Sequence, residues 1–134
     1  MKLRAFAFGL LLLGITACRP FYETRLPKFA EDVKKSVDPS ALQKWATTVL
    51  AEQKSDAAVL PSESVPASIR ELASQGSPFQ WASPERDCVR LVWGGGFGHW
   101  GILVGPVTFR APKDDAYSYY IAWKPGIYFW HETE

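Results

Sequence analysis

Cysteine is almost missing from this chain of 134 residues, which carries only Cys18 and Cys88. No disulfide framework can therefore stand in for a hydrophobic core. Histidine is equally scarce: His99 and His131 lie 32 residues apart and no H-E-x-x-H motif exists. Clustered metal ligands are lacking, so neither a metal nor a cofactor is expected. There is no excess of charge of either sign, with 15 Lys and Arg against 14 Asp and Glu. Without a basic surplus the chain has no electrostatic footprint for nucleic acid, and no nucleic-acid partner is expected. The apolar N-terminal run from Ala5 to Ala17 is 13 residues long. A membrane-spanning helix needs roughly 20.

What that N-terminus does contain is an export signal. Met1-Lys2-Leu3-Arg4 is a short basic start, and the uncharged run behind it has the length of a signal-peptide core. The run ends in Ile15-Thr16-Ala17-Cys18: aliphatic, small, small, cysteine. This stretch resembles the lipobox of bacterial lipoproteins. The resemblance implies diacylglyceryl transfer to the Cys18 thiol, cleavage before Cys18 and acylation of the new N-terminus. An ordinary secreted protein with an incidental Cys18 is the alternative. Two or three acyl chains exceed the two-signal threshold for stable anchoring, so the expected partner is a membrane, held through the acyl anchor. Arg19, not aspartate, follows Cys18. Aspartate there retains enteric lipoproteins in the inner membrane, so the expected place is the periplasmic side of the cell envelope, with the outer membrane favoured. Losing residues 1–17 removes Lys2 and Arg4, leaving 13 basic and 14 acidic residues in a mature chain of 117. Cys88 would then be the single free thiol.

Residues 18–25 read as a lipidated tether, and residues 26–134 as one domain. Leu26, Phe29, Ala30, Val33 and Val37 recur at helical spacing among charged residues, which predicts an amphipathic helix. Asp38-Pro39 then supplies an N-cap and a first-turn proline. Leu42, Trp45, Ala46, Val49 and Leu50 continue as the stripe of a second helix, ending near Lys54. A linker then runs to Pro66. A third helix is expected from about Val65 to Gln75, capped by Ser64 and stopped by Gly76.

Beyond Gly76 the composition changes: 13 aromatic residues fall between Ser77 and Glu134. Aromatic and β-branched residues favour sheets. Val89, Leu91 and Trp93 alternate with Cys88, Arg90 and Val92, and Trp100, Ile102 and Val104 form a second alternating set. A glycine-rich turn joins the two runs as a hairpin. Val107–Arg110 is read as an extension of the sheet and Asp114-Asp115 as a solvated loop. Tyr117–Trp123 and Ile127–His131 flank Lys124-Pro125-Gly126, a type II turn sequence. The expected fold is α+β, with two to three N-terminal helices packed on a small antiparallel sheet of four to five strands.

The hairpin turn holds the candidate chemistry. Gly96-Phe97-Gly98-His99-Trp100-Gly101 matches G-x-G-x-x-G, but Ile-Leu-Val-Gly-Pro comes next and cannot open a helix, so the phosphate-binding context is missing. Asp87-Cys88-Val89-Arg90-Leu91-Val92 is similar to the Asp-Cys-Ser-Gly-Leu-Val signature of NlpC-type cell-wall cysteine peptidases. His99-Trp100-Gly101-Ile102-Leu103-Val104-Gly105 resembles their His-Val-Gly-Ile-Tyr-Leu-Gly strand. The resemblance implies Cys88 as nucleophile, His99 as its base and His131 as the third polar residue. It departs from the family at Val89-Arg90, where Ser-Gly is usual, and in the short interval from Cys88 to His99.

These residues support two functions. The first is a lipid-anchored envelope protein without catalysis, acting in binding or structure on a cell-wall or envelope protein partner. Its candidate binding surface is Trp93, Phe97, His99 and Trp100 beside the glycine turn. The second is a cell-wall cysteine hydrolase using Cys88, His99 and His131, which requires the thiol and an imidazole within hydrogen-bond reach.

Overall fold

The computed structural model describes residues 19–53, 58–94 and 98–133, with the backbone alone for residues 19–24. The expected signal peptide and Cys18 lie outside the described residues. The α+β order is as expected. Helices α1 (Arg19–Ser36), α2 (Pro39–Glu52) and α3 (Ala67–Arg70) come first. Strands β1 (Phe79–Pro84), β2 (Val89–Gly94), β3 (Gly98–Val104), β4 (Ser118–Lys124) and β5 (Ile127–Thr133) come after them. They form one antiparallel sheet in the order β1-β2-β3-β5-β4. Among the described residues no helix is long and apolar enough to cross a membrane.

Within the stretch expected as a tether, residues 18–25, the backbone is helical from Arg19 onward. Tertiary contacts hold its last residue, Arg25, in place. The Arg25 guanidinium lies 4.7 Å from the Trp100 ring, and the Gln75 side chain donates to the Arg25 carbonyl at 3.0 Å. Leu26, Phe29, Ala30 and Val33 form the buried stripe. Pro27 sits inside the helix on its exposed side. It removes one backbone hydrogen bond, and burial of Leu26 and Phe29 offsets that cost.

Contacts along α1 fix its direction over the sheet. Arg25 stacks on Trp100, close to the end where β2 and β3 are joined. Phe29 then meets Trp93 at 5.0 Å and Phe129 at 5.9 Å between ring centroids. Beyond Val37, Gln43 of α2 donates to the carbonyls of Gly105 and Pro125, both at 2.9 Å, at the opposite end of the sheet. The helix therefore runs lengthwise, starting at the β2–β3 turn end.

Helix α2 is built as its sequence dictates. Asp38 accepts from the Ser40 and Ala41 amides, Pro39 occupies the first turn, and Leu42 and Ala46 are buried. The third helix is much shorter than expected. Ser64 belongs to a 3-10 turn and its hydroxyl donates to Pro61, so it caps nothing, and the helix ends at Arg70 with Glu71 as its C-cap. Residues 72–77 find other partners: Leu72 accepts from the Trp93 indole at 2.8 Å, and Ser74 donates to Asp32 at 2.7 Å. Gln75 and Gly76 have φ of 54° and 78° between the mutually bonded Ser74 and Ser77. Positive φ at both central residues is the type I′ arrangement, so Gly76 makes a hairpin turn where a helix stop was expected.

In the sheet, one strand replaces another. Phe79–Pro84 was not foreseen as a strand and forms the β1 edge, whereas Val107–Arg110 does not join the sheet. There the Phe109 amide donates to Pro106 at 2.8 Å, closing a turn, and the Phe109 ring packs edge-on against Tyr128 at 5.8 Å. Gly126 has φ of 82°, as position i+2 of a type II turn requires. Both edge strands are irregular, β1 between Phe79 and Trp81 and β4 between Ala122 and Lys124. Outside β1, the Leu60 amide donates to the Ala82 carbonyl at 2.8 Å. Outside β4, Asp114 accepts the Tyr120 amide at 3.0 Å.

Strand alternation divides the side chains between two faces. The helices cover Ala82, Val89, Leu91, Trp93, Trp100, Ile102, Val104, Ile127 and Phe129, which with the helix stripes form the main core. The other face carries Cys88, Val92, Leu103 and Trp130, a second buried cluster bordered by Phe109, Tyr120 and Tyr128. No helix lies over it among the described residues.

Candidate functional site

The cysteine-hydrolase geometry is not assembled, and register shows why. Val89 pairs with Val104 and Gly94 pairs with His99. Cys88 therefore precedes one end of the hairpin while His99 lies opposite Gly94 at the other. Six residues of strand separate those ends, about 20 Å at the usual rise. His131 pairs with Trp100 and shares its face under the helices, so it stands on the opposite side of the sheet from His99. The three residues occupy two faces and two ends, and no imidazole reaches the thiol.

Their electrostatics agree with that separation. Cys88 is 3% exposed, and its thiol donates to Glu85 Oε2 at 3.6 Å. Burial, with the Glu85 carboxylate beside it, pushes the thiol pKa up to about 12. At neutral pH it stays protonated, whereas a nucleophile must be a thiolate. His131 is buried and stacks on Tyr119 with centroids 5.7 Å apart. Burial, helped by the positive charge of Arg25, pulls its pKa down to about 4. It is a neutral core histidine at pH 7.

At two of its four residues the expected binding surface is corrected. Trp93 and Trp100 are 0% and 2% exposed, so neither can meet a ligand. Trp93 is wedged between Phe29 and Phe79, with its indole hydrogen-bonded to Leu72, and Trp100 lies under Arg25. The same period-2 pattern that marks the strands places both rings on the helix face. Gly94, at φ 90°, explains the glycine next to them: a Cβ there would strike the Trp100 ring at 2.5–2.7 Å. Phe97 lies outside the described residues. His99 is half-buried on the helix-free face.

That helix-free face is a surface the sequence pattern did not bring forward. Trp81, Val92, Gly101, Trp130 and Tyr120 form a row across all five strands. Beside it run Ser83, Arg90, Leu103, Tyr128 and Ala122. Trp81 is 37% exposed; Tyr120 and Tyr128 are half-buried. The Arg90 guanidinium sits 4.6 Å from the Trp130 ring and is ion-paired with Glu85. The Trp130 indole nitrogen is buried and has no hydrogen-bond partner among the described residues. Gly101 is required beneath it, because a Cβ there would run into the Leu91 carbonyl. A readable signal existed: β5 alternates Tyr128 and Trp130 with Phe129, so it is aromatic on both faces.

Two shallow hollows lie at the far end of the sheet. One, of about 390 Å³, is lined by Leu50, Arg86, Asp87, Pro106, Thr108 and Phe109. The other, of about 420 Å³, lies between α2 and Pro106-Val107. Among the described residues no three His, Cys, Asp or Glu side chains gather as metal ligands. No protein-family model, curated protein or solved structure matches the chain.

Proposed function

We propose that this chain is a lipid-anchored protein of the bacterial cell envelope, held through acylated Cys18 and acting by binding rather than by catalysis. The observation that carries the anchor is Ile15-Thr16-Ala17-Cys18, placed directly behind a basic start and a 13-residue uncharged run. Arg19 after the cysteine favours the periplasmic face of the outer membrane. The binding half rests on the helix-free sheet face. Trp81, Tyr120 and Tyr128 offer ring surface there, and Arg90 and His99 offer polar edges, a mixture suited to an envelope protein or a cell-wall strand.

Labelled palmitate tests the anchor: the wild type incorporates it and Cys18→Ser does not. Equal labelling of both chains would sink the lipobox reading. Co-sedimentation with purified sacculi, or crosslinking to envelope proteins from position 81, tests the binding face. Trp81→Ala with Tyr120→Ala should abolish whichever association the wild type shows, with the fold intact by circular dichroism. Association unchanged in the double variant would remove this face from consideration.

A further inference from the structure

We infer that the sheet end bearing Tyr117 and Glu132 faces the phospholipid surface, while the end bearing Val107 points away from it. This orientation rests on the proposed acylation of Cys18. Its other premises are geometric. Helix α1 is described from Arg19, the residue that follows Cys18 in sequence, so the described chain is helical from the residue next to the proposed anchor. From Arg25, packed on Trp100, to Arg19 is six residues of helix, about 9 Å. Because α1 runs lengthwise, those residues continue toward the end where β2 and β3 join, past the last pair Gly94–His99.

The same end gathers three further features. Gly98 pairs with Thr133, and the Thr133 amide donates to the Tyr117 carbonyl at 2.8 Å, which places Tyr117 beside the end of β5. Tyr117 is 65% exposed, the most exposed of the large apolar side chains described. An amphipathic ring with one wet end suits the headgroup layer. Asp115 accepts the Tyr117 and Ser118 amides at 2.7 and 2.8 Å, fixing the backbone that presents the ring. The opposite end offers Val107, 59% exposed, as an internal reference. Glu132 is exposed beside Thr133 at this end. The covalent anchor and the rigid helix behind it hold the contact by raising its effective concentration.

The test uses full-length protein purified with its N-terminal modification and reconstituted in phosphatidylethanolamine–phosphatidylglycerol vesicles. A polarity-sensitive fluorophore is placed at Tyr117→Cys, Trp81→Cys or Val107→Cys; Cys88, being buried, leaves the new thiol as the labelled site. Lipids carrying a nitroxide headgroup should strongly quench position 117 and leave position 107 at the level of the dye in solution. Position 81 reports on the alternative in which the domain lies on its helix-free face. Quenching greatest at 81 or 107 overturns the orientation while leaving the anchor standing. Mass analysis of the N-terminal peptide separates the two ideas: an unmodified Cys18 in a vesicle-bound chain overturns the anchor and the orientation together. Tyr117→Ala should keep the acyl group and the vesicle binding, since the lipid chains supply the affinity.

Discussion

The two faces of the sheet are buried by different means. On one, the side chains of β2, β3 and β5 meet α1 and α2, and Trp93, Leu91 and Phe129 reach 0% exposure against separate elements. On the other, Val92, Leu103 and Trp130 are within 3% of full burial, yet their cover is local. It consists of Arg90 from the next register position, Phe109 from the loop after β3, and the sheet's own tyrosines. The first face is a core that defines the fold. The second is closed by one arginine side chain, a loop and the sheet's own rings.

Four tests bear on that contrast, from the largest effect to the smallest. Gly101→Val adds a side chain where even a Cβ collides with the Leu91 carbonyl. A backbone obstacle cannot step aside, so the loss should exceed about 5 kcal/mol, comparable with the whole stability of such a domain. No cooperative urea transition is expected. Leu91→Ala and Leu103→Ala remove the same atoms from 0% and 1% exposed sites on opposite faces. Leu91 should cost about 4 kcal/mol and Leu103 about 2–3, because the loop carrying Phe109 can settle into the space. Equal losses in urea denaturation would break the comparison.

The third test is pH. His131 binds its proton near pH 4 in the fold and near 6.5 when unfolded. The unfolded chain therefore takes up protons first as pH falls, and stability drops between pH 6.5 and 4. The full loss approaches about 3 kcal/mol, and it is absent above that window. His131→Phe should flatten the slope there. The Asp32 carboxyl, held below its ordinary 3.8 chiefly by the Ser74 hydroxyl, adds its own loss only at lower pH. The smallest effect is Arg90→Ala, which removes a cation over Trp130 and a partly exposed ion pair, for about 1 kcal/mol by urea titration.

Where local chemistry decides the structure, the sequence was legible. Asp38-Pro39 opens α2 through its own side chain and ring, and Pro125-Gly126 makes its turn from the φ preferences of two residues. Alternation over Val89–Trp93 and Trp100–Val104 marked the hairpin and its buried face. Where a distant partner decides, pattern alone fell short. The Leu72 carbonyl is claimed by an indole 21 residues away, and Ser74 by Asp32, so the periodic stretch after Pro66 keeps a single helical turn. β1 follows Pro78 and ends at Pro84, which is tolerable because an edge strand leaves one row of amides unpaired. The candidate site suffered similarly. Trp93 and Trp100, named as binding candidates beside the glycine turn, are buried, and Gly94 makes room for the Trp100 ring.

The irregular edges of the sheet carry a last consequence. Anchored proteins are confined to a plane and meet their own copies far more often than molecules free in solution. An open strand edge would then invite endless side-by-side growth. Here the Leu60 amide already occupies β1, and Asp114 has taken the Tyr120 amide on β4, each next to a break in register. Under the anchoring proposed above, neighbouring copies can touch without zipping together.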